Sequence, residues 1–507
     1  MEVELQKESY PCYQAAPEIV DTHEESTETI IPDYCPDIAR IVDANACLLL
    51  HGAELLNGKA TLSGSIEITL LYMADDAQGL RKMDYSIALQ HTVERESLKD
   101  CSNLSLEGHV CAPEVRLLNP RKIFTRIDVE IRATPYAAQT LCVCSGVAQQ
   151  SAYHMETLCE THEASLLRGI REKGFTVSDE IPIPGGKAAI HQLLSVSAKP
   201  RLTDCKAVGN KVMLKGVACV SMLYATESGA PEHCAMEISF SQIVDGLDTA
   251  DSDVSAEALL RTTEFEAHSD GEGRTLSVSL ALHAFAILRQ SVSLRCIADL
   301  YSTSHEVNAE SELLELSRPP VCSVRQQNVR EQIDTSVEIG SILCAEACLG
   351  SPSLTRSGDS FVLRTVATIK VLYLDENGVP LLAERRSEIT LDSDAEAGDP
   401  ISVSGVCSDD ITTGINAQGI EVRFPVIFRI TSAPRLRCVC ITALQAQERT
   451  DNGETAPSLT LRALQPDQTL WDLAKQCRTT VEEIVSANEL GEKTAAVGEL
   501  LLIPRKR

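Results

Sequence analysis

Three apolar runs in this chain end in the same Leu-Tyr pair followed by acidic or turn residues. They are Leu70-Leu71-Tyr72, Met222-Leu223-Tyr224 and Val371-Leu372-Tyr373, with the tyrosines 152 and 149 residues apart. Counting back from each tyrosine, the match continues without gaps. Gly64, Gly216 and Thr365 stand at one equivalent position, and the turns Asn57-Gly58, Gly209-Asn210 and Gly358-Asp359 at another. Further back come Ala46, Ala198 and Ala347, then Val42, Leu194 and Leu343. Agreement at several positions in one register is duplication, so the chain must fold as three copies of one unit.

Inside each copy the residues alternate. Leu62, Gly64, Ile66, Ile68, Leu70 and Tyr72 share one parity, as do Val212 to Tyr224 and Phe361 to Tyr373. Period two over this length is a half-buried strand. The turn before it and the alternating run before that make a hairpin. A loop bearing Gly79, Gly229 or Gly378 then leads to another strand, such as Met236-Ile238-Phe240. A second hairpin is expected around Asn119-Pro120, Gly271-Glu272-Gly273 and Gln418-Gly419. The expected fold class is mainly β: three antiparallel units, sandwich- or barrel-like.

The expected organisation is an N-terminal tail over 1–29, β units over 30–147, 181–304 and 329–446, and polar linkers, helical or extended, over 148–180 and 305–328. A flexible linker is expected over 447–457, rich in Asp, Asn, Gly, Glu and Thr, and a different module over 458–507. That module reads strand, helix, helix, strand. Leu459 to Leu464 alternate, and Gln465-Pro466-Asp467-Gln468 form a turn. Thr469-Leu470-Trp471-Asp472 is a capping box opening a helix with Leu470, Leu473, Ala474 and Cys477 on one face. A second box at Thr480-Val481-Glu482-Glu483 opens another helix, and Leu500 to Ile503 close the module.

Composition narrows the function. The chain of 507 residues carries 73 acidic and 45 basic side chains, a net charge of −28. Such a field repels phosphate backbones and anionic lipid, which argues against nucleic acid and direct membrane insertion. The basic end Arg505-Lys506-Arg507 reads as a solvated tail. The start, Met1 to Lys7, has no basic segment followed by an apolar run, so a cytoplasmic chain is expected. Nineteen cysteines with no C-x-x-C pair read mostly as small, free core residues rather than metal ligands. Cys142/Cys144 and Cys438/Cys440 are pairs on one sheet face. No catalytic constellation stands out and no cofactor is expected. Pro184-Gly185-Gly186-Lys187 is too short for a phosphate loop, and His154, Cys159 and His162 with Glu160 and Glu163 read as a solvated face. Asp75-Asp76 and Asp409-Asp410 sit at turns.

The C-terminal module resembles the LysM family through Pro466, Thr469-Leu470-Trp471, Leu473-Ala474, Thr480 to Ile484, Asn488, Leu490, Gly498 and Leu501 to Pro504. The resemblance implies a groove for N-acetylglucosamine glycans formed by Gln465, Pro466, Asp467, Gln468 and Thr469 with Asn488, Glu489 and Leu490. The sequence departs from the family there, with Asp467-Gln468 for the usual Gly-Asp and Val497 for the usual Pro before Gly498. Trp471, the sole tryptophan, is read either as packing at the edge of the small core or as an anchor for a partner protein.

The repeats, the Ile30 to Ile38 preface (Ile-Ile-Pro-Asp-x-x-Pro-Asp-Ile) and the terminal module together resemble the SPOCS-repeat plus LysM spore-coat morphogenetic proteins of clostridial spore formers, the SipL type. This resemblance implies a non-enzymatic protein of the mother-cell cytoplasm at the forespore surface. Its LysM module would bind the ATPase of the coat's basement layer. The alternative is a cell-wall protein that binds peptidoglycan.

Overall fold

The computed structural model describes all residues except 76–78, 111, 246–251, 268–272, 358–359, 394–399, 409, 450–456, 492–494 and 505–507. The expected turn at Gly358-Asp359, Gly271-Glu272, one member each of the two Asp pairs (Asp76 and Asp409), most of the 447–457 linker and the basic end therefore lie outside the described residues. The Leu-Tyr strands form as their alternation requires. Each is the middle strand of an antiparallel sheet. Ile38–Leu56, Lys59–Ala74 and Leu80–Glu94 make the first sheet, and Gln192–Val208, Lys211–Ala225 and Pro231–Asp245 the second. In the third, Ser360–Asp375 is flanked by Ile339–Leu349, Ser353–Ser357 and Pro380–Ser393. The first hairpin turns at Asn57 and Gly58, both with positive φ (51° and 80°), the residues a tight turn demands.

The second layer of each lobe pairs early strands with late ones, and here the structure differs from the sequence reading. Met155–Pro182 pairs along its whole length with Thr275–Ser302, from Pro182 opposite Thr275 to Met155 opposite Ser302. Lys122–Val147 pairs with both Leu5–Ala15 and Ile19–Ile30. In the third lobe the same long pair is broken in two: His305–Ser317 with Arg435–Glu448, and Val321–Asp334 with Gly419–Ser432. The segments 1–29, 148–180 and 305–328, expected to be a tail and two linkers, thus hold the opening strands of the three lobes. His154, Cys159 and His162 border or lie on such a strand, not on a helix. Each of these strands finds its partner about a hundred residues later in the chain, so no local turn announces it.

The two layers pack as an open sandwich, not a closed barrel. Leu62, Ile66 and Ile68 meet Ile127, Val129 and Ile131 in the first lobe. Val220 and Met222 meet Leu276, Val278 and Leu280 in the second, and Leu363 and Ile369 meet Val422, Phe424 and Phe428 in the third.

Two buried clusters draw residues from all three lobes. In the first, Leu71, Leu223 and Leu372 stand with Val42 and Leu194, and Leu343 packs against them. These are repeat-equivalent positions, so a local three-fold arrangement follows from the duplication. In the second, Cys144, Leu294, Cys296, Cys438 and Cys440 pack together from the ends of the second-layer strands of all three lobes. Burial pushes the Cys296 thiol up to about 12, with Cys438 and Cys440 adding to the effect. Cysteine burial is more mixed than expected. Cys12, Cys35, Cys144, Cys234, Cys296, Cys438 and Cys440 are buried, but Cys142, Cys322 and Cys348 are exposed. Among the described residues no two cysteines are joined by a disulfide.

The Ile30 to Ile38 preface folds around one cation. Arg121 donates from Nη1 to the Cys35 carbonyl (2.7 Å) and from Nη2 to the Ile31 carbonyl (3.0 Å), with Asp37 and Asp33 as its ion partners. In the second lobe Arg274 donates to the carbonyls of Pro184 and Lys187. The shared prolines of the two prefaces therefore belong to turns that wrap a guanidinium.

The Gly64, Gly216, Thr365 position has a steric cause. A Cβ on Gly216 would press on the Phe240 ring and come within 2.7 Å of the Arg201 carbonyl oxygen, and one on Gly64 would press on the Leu49 carbonyl. In the third lobe the facing strand is interrupted between Leu349 and Ser353, and Thr365 Oγ1 donates instead to the Gly350 carbonyl at 2.6 Å. Gly216→Ala is expected to destabilise the second lobe by about 1–3 kcal/mol, as overpacking does. Thr365→Gly should cost less, and denaturant midpoints of the two variants check the contrast.

Candidate functional site

The C-terminal module forms the expected strand–helix–helix–strand unit: Leu459–Ala463 pairs with Leu500–Pro504 around α1 (Leu470–Cys477) and α2 (Val481–Ala487). The first capping box is complete. Thr469 N–H donates to Asp472 Oδ2 at 2.9 Å, and Asp472 N–H donates to Thr469 Oγ1 at 3.2 Å. The Thr469 hydroxyl, donating to Asp472 Oδ2 at 2.7 Å, and then the Thr469 N–H hold the Asp472 carboxyl below its ordinary range. The second box is only half made. Thr480 Oγ1 accepts from Glu483 N–H, but the Glu483 carboxylate accepts from Thr479 Oγ1 at 2.7 Å instead of closing the box.

The loop before α1 is the accessible part. Gln465, Pro466 and Asp467 are exposed, and a turn bond runs from Gln468 N–H to the Gln465 carbonyl at 3.2 Å. Asp467, where the LysM pattern has glycine, has φ = 64°. The glycine-like backbone is thus kept, by a residue whose short polar side chain tolerates it. These residues line an open, polar depression with Arg462, Asp472 and Gln476, and Gln468 Nε2 donates to Gln476 Oε1 across it at 3.2 Å.

The second loop does not share that depression. Asn488 Nδ2 donates to the carbonyls of Ile484 (2.8 Å) and Leu502 (2.6 Å), and its Oδ1 accepts from Leu502 N–H (2.7 Å). The two bonds to Leu502 fasten α2 to the closing strand. Leu490 is buried in the module's core, while Glu489 is exposed with φ = 54°.

Trp471 faces the long strand Thr275–Ser302 of the second lobe. Its Nε1 donates to Asp299 Oδ2 at 2.8 Å, and its ring meets Tyr301 edge-on, 4.9 Å between centroids. Lys475 Nζ donates to both Asp299 oxygens (2.6 and 2.8 Å). Tyr301 is itself part of the module's core, its hydroxyl donating to the Thr479 carbonyl at 2.8 Å. Burial, then the carboxylates of Glu156, Asp299 and Glu483, push the Tyr301 phenol upward, so it stays protonated and donates. Asp299, Tyr301 and Lys475 are absent from the sequence reading. The sole tryptophan gave a signal that an interface is there, but nothing local marks a partner 172 residues away.

Residues 189–267 match the family model described as SipL, SPOCS domain, and residues 464–504 match the LysM domain. Over these two stretches the chain is similar to SipL-type proteins, which join SPOCS to LysM. Comparison with curated proteins and with solved structures gives no match. The SPOCS match falls on the three-stranded sheet of the second lobe and the next strand, Ser252–Ala267; the long pair beneath it lies outside. Both families are non-catalytic binding domains, and the first ties the chain to sporulation. A LysM domain suggests glycan binding. Among the described residues no helix is long and apolar enough to cross a membrane.

Proposed function

We propose that the chain is a non-enzymatic scaffold of spore-coat assembly, with the LysM module docking a coat-basement ATPase on the forespore surface in the mother cell. The three lobes are read as three SPOCS units, each opening at the first strand of its second layer. The observation that carries the proposal is the mounting of the module. Trp471, the residue best suited to stack on a sugar, is committed to Asp299 and Tyr301 of the same chain. The exposed loop depression is lined by Gln465, Asp467, Gln468 and Gln476, with no aromatic ring among its lining residues. Sites for small organic ligands use apolar and aromatic walls with a few polar groups. A polar, shallow, rigidly held loop suits a protein partner better.

The test is capture of an ATPase from sporulating-cell extract by the full chain and by a Gln465→Arg/Gln468→Arg variant. Loss of about 1.4 kcal/mol of docking energy reads as tenfold weaker capture, with the thermal midpoint unchanged because both side chains lie in the loop. The parent chain should stay in the supernatant when mixed with insoluble peptidoglycan. Capture that ignores the loop variant, or sedimentation with peptidoglycan, overturns the reading and favours glycan.

A further inference from the structure

The inner face of the first lobe is largely apolar, with a polar run along one strand. Ile19–Ile30 sends its odd-numbered residues inward, and after Ile19 these are Asp21, His23, Glu25, Thr27 and Thr29. Opposite stands His91 on Leu80–Glu94, the edge strand of the facing sheet, between the buried Leu89 and Val93. An inner-face row of two imidazoles and two carboxylates is costly for a sandwich core unless the groups have partners.

The donors are gathered within reach of one ion, and a ring must turn out of the stack for both lone pairs to meet it. The ligand atoms of Asp21, His23 and His91 all lie within 4.8 Å of one another. His91 Nε2 is hydrogen-bonded to Asp21 Oδ2, and the two imidazoles stack with centroids 4.3 Å apart and planes 2° from parallel. Glu25 Oε1 lies 3.6 Å from His23 Nε2, too long for a hydrogen bond. Both ring nitrogens of His23 are shielded from solvent and make no hydrogen bond.

We propose that Asp21, His23 and His91, with Glu25 as fourth donor, form a zinc site that staples the two layers of the first lobe. Two imidazoles select a borderline transition ion over magnesium or calcium, which prefer all-oxygen shells. Three donors are already gathered, and a side-chain rotation of Glu25 beside His23 would close a tetrahedral set, the coordination of a structural site. The side chains retain 16–29% exposure, which leaves an entry path from solvent.

The chain's nineteen cysteines could also take zinc, so the test must tell nitrogen and oxygen from sulfur. Full-length chain, stripped with chelator under reducing conditions, is titrated with Zn²⁺ and separately with Co²⁺. The expected result is one tight equivalent and a Co²⁺ visible spectrum without a thiolate charge-transfer band. A Zn²⁺-dependent rise in thermal midpoint should accompany it. His23→Gln and His91→Gln should each weaken binding at least about tenfold and abolish that rise. Should either variant fold poorly in chelator, Asp21→Asn/Glu25→Gln repeats the test with the imidazoles intact. A thiolate band on the tight equivalent, binding indifferent to these variants, or no tight equivalent in the parent overturns the site.

Discussion

A Lys370→Met chain is expected to lose about 3–5 kcal/mol of stability at the junction of the lobes, the cost of stranding a buried charge. Lys370 lies on the third Leu-Tyr strand and reaches into the first lobe, where Nζ meets Asp43 Oδ1 and the Ala44 carbonyl at 2.8 Å each and Asn45 Oδ1 at 3.2 Å. The two side chains are only 12% and 8% exposed. Asp43 also accepts from Ala44 N–H and Asn45 Nδ2, so its carboxylate is fully engaged while the lysine is present. Removing the cation leaves the anion in a desolvated seam beside Leu71, Leu223 and Leu372. Because the pair's attraction is largely offset by its desolvation, the double variant Asp43→Asn/Lys370→Met should recover most of the loss. Denaturant midpoints of the two single variants and the double variant decide it. A Lys370→Met chain as stable as the parent would mean that the lobes are not held together here.

The same junction shows what the sequence made legible. Val42, Leu194 and Leu343 stand in register, as do the leucines preceding the three tyrosines, and the structure brings both sets into or against one cluster. Repeat symmetry converts a linear match into a spatial one when the copies assemble about an axis. The pair Asp43–Lys370 escaped because it breaks the symmetry: Thr69 and Ser221 occupy the lysine's place in the other copies, and Ser195 and Cys344 the aspartate's. The opening strands escaped for a different reason. Ile19–Ile30 alternates as cleanly as any strand, but polar groups fill its inner positions after Ile19, so its period two carries no hydrophobic contrast. Within the LysM module, capping and amphipathic spacing are local and were read correctly at α1. The rest depends on distant groups: Thr479 took Glu483 from the second box, and Asn488 turned inward to the closing strand.

Trp471→Ala is expected to free the LysM module from the second lobe. It removes the bond to Asp299 and the edge contact with Tyr301, about 3 kcal/mol for an aromatic truncated at a packed contact. The module's own core of Leu473, Ala474, Ile484, Leu501 and Ile503 stays intact, so the helices should survive while the mounting fails. Small-angle scattering should then show a larger radius of gyration with unchanged far-ultraviolet dichroism. Asp299→Ala offers an independent route, because it deprives both Trp471 Nε1 and Lys475 Nζ of their acceptor and leaves the tryptophan in place. Since Trp471 is the sole tryptophan, its emission reports this interface alone and should shift to the red as the ring gains water. Either variant should also weaken partner capture although neither alters the Gln465–Thr469 loop, because a mobile module must be immobilised when it docks. An unchanged scattering profile for Trp471→Ala would release the tryptophan for an external ligand, and the case for a rigidly presented loop would fall with it.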